Sequence, residues 1–348
     1  MAEKKWGDYL RAPLTPEKFS RSRATYLHPM RVHRDLMERL ARRYHPARIA
    51  CLGAGFLNDI PLEAFIQEAE TLYLVDWIPG IAREGFAGSI IDSKDDNLRC
   101  LLCDDRIATG RYCEAFRPPI RAPEQVCASF EPMPGRENLC VHYAPGDQPN
   151  FLEADITLGR GGGFARRSES LVARGKTLRQ VFQRALAEGK RCARIEEEMD
   201  IPADSIDLVT ASMVVSQFDH EPYAFFTRLL AEKFGMEKML ENEEHLRPLV
   251  EQLRSLLFQI QAEGLVREMY RIVNKTQGRV FFSVEFFRSL NGEDRYFLVH
   301  EIPRAMETIA EYFQFEFESI PAEETITTFS QNEGTSVVQC FVLSPITD

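Results

Sequence analysis

A chain of 348 residues with 44% hydrophobic content can fill a sizeable core, either as one large domain with insertions or as two domains. No apolar run approaches the ~18 residues of a membrane helix, and the opening Met-Ala-Glu-Lys-Lys is not followed by the apolar core of a signal peptide, so a cytoplasmic protein is expected. A net charge of -11 argues against broad phosphate-backbone binding, although Arg160, Arg166 and Arg167 leave room for a local basic face. Eight cysteines in a reducing compartment should be reduced, reactive or metal-bound rather than paired, and five of them fall between positions 100 and 140.

Residues 1–23 are rich in charge and hold Pro13 and Pro16, which predicts a loosely ordered arm, either a frayed terminus or a lid. From Ala24 to Tyr44 the apolar positions Tyr26, Met30, Val32, Leu36, Leu40 and Tyr44 recur mostly every three or four residues and predict a helix. His28, His33 and His45 fall here and read as solvated surface residues. Ile49 to Leu52 then predict a buried strand, Gly53 and Gly55 a tight turn, and Asp59 to Glu68 a helix. The next apolar strand ends on Asp76, 23 residues after Gly53. At that separation a strand-turn-helix-strand unit returns an acid to the ligand edge of the sheet, where it accepts hydrogen bonds from a ribose. The glycine pair alone fits any strand-to-helix turn; the acid makes it a nucleotide-type site. A dinucleotide fingerprint wants a third glycine at the sixth position, which is Asn58, so NAD(P) fits less well.

The stretch resembles the first motif and second-strand acid of the class I, Rossmann-like methyltransferases that use S-adenosylmethionine (SAM). One departure is visible: many members carry an acid two positions before the first glycine, where this chain has Cys51. In that family the residues after the ribose-binding acid often lie against the adenine, which the resemblance implies for Trp77 and Ile78; core packing is the alternative.

The next predicted strand, residues 151–157, follows more than seventy residues later where a simple crossover needs about a dozen, so an insertion is expected at about 90–150. It carries Cys100 and Cys103 as a Cys-x-x-Cys pair, then Cys113, Cys127, Cys140 and His142. Two thiolates from one turn with later partners can complete a structural zinc site or an iron–sulfur site, and the ligand set favoured is Cys100, Cys103, Cys113 and Cys140. The irregular spacing matches no zinc ribbon, and reduced, buried cysteines are the alternative.

At Glu153-Ala-Asp155-Ile156 the resemblance continues, because the family's third strand commonly ends in an acid that contacts the adenine amino group beside a backbone amide. Gly159 to Arg167 read as a flexible loop, either a nest for a carboxylate or phosphate or a solvated linker, leading into a charged helix over 168–199. Residues 201–218 resemble the family's fourth strand and the loop lining the methyl-transfer pocket, with Ser212 to Phe218 facing the reacting centre. Asp219, His220 and Glu221 are the general-base candidates, His220 foremost; a helix cap or surface cluster is the alternative. Residues 222–277 read as helical and longer than a crossover needs, a cover for the substrate or a face for a homodimer. Residues 279–286 predict the fifth strand, and 314–319 and 336–343 two closing strands that pair antiparallel across a loop.

The resemblance implies a Rossmann-like, seven-stranded α/β methyltransferase sheet with an antiparallel last strand. The expected organisation is an arm over 1–23 and one domain over 24–348, with the Cys-rich insertion and helical insertions at about 159–200 and 222–263. It implies SAM with its methionine end at Gly53, Ala54 and Gly55, its ribose on Asp76, its adenine among Trp77, Asp155 and Ile156, and Ser212 beside the methyl group. The acidic chain lacks a basic stripe with interleaved aromatics, so a small-molecule or protein acceptor is expected rather than nucleic acid. An NAD(P)-dependent oxidoreductase and a non-catalytic binding or assembly module stay open as other readings.

Overall fold

The computed structural model of the protein describes residues 6–11, 16–26, 30–92, 132–133, 136–140, 149–215, 218, 220–289, 296–298, 301–321, 324–331 and 334–347. In place of a loosely ordered arm, the chain opens with two helices, α1 (Trp6–Arg11) and α2 (Pro16–Tyr26), before α3 (Arg31–Tyr44). The Ala24–Tyr44 periodicity therefore runs across two helices rather than one. On α3 the three- and four-residue spacing buries His33, Leu36, Met37, Leu40 and Ala41 on one face, and His45 ends the helix in the left-handed conformation.

The central sheet runs through β1 (Arg48–Leu52), β2 (Thr71–Asp76), β5 (Asn150–Glu153), β6 (Leu208–Ser212), β7 (Arg279–Ser289), β10 (Ile326–Gln331) and β11 (Gly334–Pro345), in the order β10-β11-β7-β6-β1-β2-β5. The pairs β1–β2, β2–β5, β1–β6 and β6–β7 are parallel, whereas β11 lies antiparallel to both β7 and β10. This is the Rossmann-like sheet with a reversed last strand that the resemblance implies. Among the described residues seven strands form this main path, and β8 (Tyr296–Leu298) and β9 (Phe313–Phe315) add to it by pairing antiparallel with the ends of β7 and β11. The 313–315 segment pairs antiparallel with the last strand as expected, at Leu343 to Pro345, and the loop expected between them holds β10, which forms the closing hairpin with β11.

The period-two alternation of β1 sends Ala50 and Leu52 to one face and Ile49 and Cys51 to the other. On the first face the strands meet α10 (Glu243–Ile272) and α11 (Ile302–Tyr312) through Leu265, Val266, Met269, Ile272, Ile302 and Ile309. On the second they meet α3, α4 (Leu62–Glu68) and α5 (Ile81–Asp92) through Leu36, Leu40, Phe65 and Phe86. Burying Phe281 and Phe282 on opposite faces of β7 contributes about 1.5–3 kcal/mol each. Helix α4 starts at Leu62, not Asp59, because Pro61 sits at its N-cap with ψ 70°.

A third apolar cluster joins α6 (Arg160–Arg174), α7 (Leu178–Cys192), α8 (His220–Phe234) and the first half of α10. Between α8 and α10 lies the short α9 (Met236–Glu241). The triple glycine expected in a loop lies inside α6, where Gly161, Gly162 and Gly163 are all buried. Their lack of a Cβ allows close packing: a Cβ on Gly161 would meet the Gln261 amide, and one on Gly163 would strike Ile195. The three arginines form no anion site. Arg160 is fully buried and donates to the Ile260 carbonyl at 3.1 Å, Arg166 pairs with Glu197 at 3.4 Å, and Arg167 with Glu188 at 2.6 Å.

Of the Cys-rich insertion, only the hairpin β3 (Pro132–Met133) and β4 (Arg136–Cys140) is described; Cys100, Cys103 and Cys113 lie outside the described residues, as do Cys127 and His142. Among the described residues, no group of three His, Cys, Asp or Glu could hold a metal ion, and no helix is long and apolar enough to cross a membrane.

Candidate functional site

The chain leaves β1 toward β2 on one side and returns on the other side as β6, so the carboxyl ends of β1 and β6 open a crevice at the point where the strand order reverses. A cavity of about 240 Å³ occupies it, just below the ~300–1,000 Å³ usual for small-molecule sites. It is lined by Gly53 and Gly55 after β1, Asp76 to Ile78 after β2, Ile81 on α5, Ile156 and Thr157 after β5, and Ser212 to Val214 after β6. Phe218, Glu221 and Gln261 close it from the helical side.

The glycine turn is tight. Gly53 and Gly55 have φ of 69° and 50°, a region L side chains rarely adopt, and a Cβ on Gly53 would lie 2.6 Å from Val214 Cγ2. The turn is pinned to the neighbouring strand at two points. Ala54 N–H donates to the Val75 carbonyl at 2.9 Å, and Gly55 N–H donates to Asp76 Oδ2 at 2.9 Å. Ala54 therefore holds the turn in place, and its side chain is buried in the core behind it.

Asp76 is 9% exposed, and Ile78 N–H donates to its other oxygen at 2.9 Å. Burial pushes the carboxyl up to about 6 despite these donors and the backbone N–H of Trp77. Asp76 and Glu221 are the ionisable groups among the described lining residues, which include no Lys or Arg. The rest of the wall is aromatic or aliphatic, with Trp77, Ile78, Ile81, Ile156, Met213, Val214 and Phe218.

One wall is backed by the N-terminal helix, which packs on Trp77 from outside the cavity. Trp6, 5% exposed, meets the edge of Trp77 with centroids 5.5 Å apart and stacks on Tyr9 at 5.5 Å. Its backbone N–H donates to Glu169 Oε1 at 3.0 Å. Tyr9 donates its hydroxyl to Glu221, and burial first, then that carboxylate, push the phenol up to about 12.

Behind Ser212 lies a buried polar cluster. Ser212 Oγ is 3.0 Å from Ser283 Oγ and 3.2 Å from His33 Nδ1, and Met213, at φ 57°, donates its N–H to the Ser283 carbonyl at 3.0 Å. His33 is thus not a surface residue as its helix suggested. It is 1% exposed, and burial, aided by Arg34, pushes its imidazole down to about 4, so it stays neutral at pH 7. Cys51, in the position where family members often carry an acid, is a buried thiol pushed up to about 12 by burial and faces the core.

Of the residues singled out in the sequence, Gly53, Gly55, Asp76, Trp77, Ile156 and Ser212 meet at the cavity. Asp155 and His220 do not line it. Both Asp155 oxygens accept local bonds: Oδ1 from the Thr157 N–H at 2.9 Å and hydroxyl at 2.5 Å, Oδ2 from Gly162 N–H at 2.8 Å. His220 is the exposed first residue of α8, and its neighbour Glu221 reaches the cavity instead; Asp219 lies outside the described residues. Ile81, Thr157 and Gln261 line the cavity with no motif to announce them.

No protein-family model matches the chain, and no curated protein matches it significantly. Among solved structures, the chain is similar to a magnesium protoporphyrin IX methyltransferase from Synechocystis with bound SAM, at 10% identity and a TM-score of 0.36, covering 98% of this chain and 99% of that one. It is also similar to a putative methyltransferase from Bacillus halodurans, at 9% identity and 0.35 over 89% and 97% of the two chains. A SAM-dependent methyltransferase from Leishmania major stands at 9% and 0.35 over 97% and 91%. The fold rests on the strand order and the site on its own residues.

Proposed function

We propose that the protein is a SAM-dependent methyltransferase acting on a small molecule or a protein side chain. The observation that carries this is the pairing of a positive-φ glycine turn with a buried carboxylate, hydrogen-bonded to that turn, in a cavity whose described ionisable lining is acidic only. A sulfonium and ammonium ligand suits such walls, whereas the pyrophosphate of NAD(P) calls for cations or the N-terminus of a helix beginning at the turn. Here α4 begins only at Leu62, behind Pro61.

On this reading Gly53 and Gly55 let the backbone approach the methionine end, Asp76 accepts from the ribose hydroxyls, and Trp77, Ile78 and Ile156 sandwich the base. Bound there, the cofactor supplies an electrophilic methyl group on a positively charged sulfur. The chain's part is alignment: Ser212, Met213 and Val214 form the floor beside which the acceptor must sit, and Ser283 and His33 hold that floor in its strained conformation. Glu221, oriented by Tyr9, is the group at the cavity able to take the acceptor's proton, and it replaces His220 in that role. The test is incubation of the protein with methyl-labelled SAM and fractionated cell extract. Label transferred to a small-molecule or protein fraction supports the proposal, and label that never leaves SAM favours a binding module.

We also propose that Cys100, Cys103, Cys113 and Cys140 hold a structural zinc in the insertion, a reading supported by the Cys-x-x-Cys pair and by a segment with few large apolar residues. Elemental analysis should then give close to one zinc per chain, and metal-free protein with freely titrating thiols would contradict it.

A further inference from the structure

We infer that Gln261, and not Asp155, reads the amino edge of the adenine, so that the site selects adenine over a 6-oxo purine. This rests on the reading of the cavity as the SAM site.

Gln261 is fully buried on α10 and lines the cavity. Its Nε2 donates to the Phe218 carbonyl and, at 3.0 Å, to the Leu257 carbonyl. Both partners are acceptors only, so the amide cannot be turned over without setting oxygen against oxygen, and the position of Oε1 follows. That oxygen is buried and has no hydrogen-bond partner. An unsatisfied buried acceptor is uncommon in a folded protein and needs a reason, such as a donor that arrives with a ligand.

Its surroundings say which donor. A Cβ on Gly161 would lie 2.5 Å from Gln261 Oε1 and 3.2 Å from Trp77 Cζ3, so the free oxygen sits across one bare glycine from the indole against which the base would lie. Ile156 and Thr157 also line the cavity, and Thr157 Oγ1 accepts from Gly161 N–H at 3.1 Å. The first of the three glycines thus acquires a purpose: with no side chain there, α6 can lie beside the acceptor without displacing it. Asp155, the acid the family pattern nominates, is engaged in holding the start of α6 through Thr157 and Gly162 and does not line the cavity. An exocyclic amino group donates to Gln261 Oε1, whereas the 6-oxo group of hypoxanthine or guanine would set one acceptor against another.

The experiment compares the full-length protein's affinity for S-adenosyl-L-homocysteine and S-inosyl-L-homocysteine by calorimetry, in the wild type, Gln261→Leu and Asp155→Asn. The wild type should bind the adenosyl ligand at least about tenfold more tightly. Asp155→Asn should keep that ratio, and Gln261→Leu should bring it close to one. Should Gln261→Leu fail to fold because two carbonyls lose their donor, the wild-type ratio together with that of Asp155→Asn decides. Equal binding of both ligands by the wild type, or a ratio lost in Asp155→Asn and kept in Gln261→Leu, overturns the assignment of Gln261 while leaving the SAM site standing. No binding of either ligand overturns both.

Discussion

Replacing Asp76 with asparagine separates binding from folding. The carboxyl is held at about 6 against an ordinary 3.8, and at 1.36 kcal/mol per pH unit the ionised, buried group costs the ligand-free protein about 3 kcal/mol at neutral pH. Because the folded value is raised, that cost is fully present above pH ~6 and is relieved as the pH falls toward 3.8, so this residue makes the free protein more stable on acidification. Asparagine removes the cost but turns an amide NH₂ toward the N–H of Gly55 or Ile78, a loss of about 1–3 kcal/mol. The two offset, and the melting temperature should move little. Affinity for SAM should nevertheless fall by about 1.5–3 kcal/mol, the worth of hydrogen bonds to a charged acceptor, which is roughly 10- to 150-fold. Calorimetry from pH 5 to 7.5 should show the ratio of wild-type to Asp76→Asn affinity constant above pH ~6 and shrinking below it, as the carboxyl protonates. An Asp76→Asn variant with wild-type affinity, or a ratio flat across that range, would refute the reasoning.

Gly53→Ala combines a φ of 69° with a Cβ 2.6 Å from Val214 and should cost about 2–4 kcal/mol in denaturant unfolding; Val214→Ala in the same chain should recover part of it, and no recovery would mean the contact is not the cause. The chain has two tryptophans, so Trp6→Phe leaves Trp77 as the sole reporter: its emission should be quenched on adding S-adenosyl-L-homocysteine, and an unchanged spectrum would remove the base from that wall. Phe282→Ala, at a fully buried position beneath α10, should destabilise by about 3–5 kcal/mol without touching the site; a loss under about 1 kcal/mol would contradict the core assignment.

The parts of the fold legible in the sequence are those where one residue type serves one local need. A glycine pair closing a strand, an acid ending the next strand and the apolar run of β6 each point to one geometry, and together they place the crevice. The misread parts depended on partners distant in the chain. Gly161 to Gly163 suit a flexible loop as well as a helix pressed against its neighbours, and the choice is made by Ile195 and Gln261, more than thirty and about a hundred residues away. The closing strand β10 is mostly polar in sequence, so apolar alternation did not reveal it, although its β-branched Ile326-Thr-Thr328 offered a signal. His33 looked like a surface residue because its helix is rich in arginine, and only the packing of α3 against β6 and β10 buries it beside Ser212 and Thr327. Gln261 could not have been found at all from one chain, since nothing in the sequence sets it apart from Gln252 and Gln259 on the same thirty-residue helix.

The central claim is tested most directly by titrating the purified full-length protein with SAM, S-adenosyl-L-homocysteine and NADH in separate calorimetric experiments at pH ~7.5, above the range in which Asp76 protonates. The geometry of the glycine turn, Asp76 and a described lining without Lys or Arg predicts saturable binding of the first two at about one site per chain and no binding of NADH. Saturable binding of NADH with none of SAM or its demethylated product would contradict it.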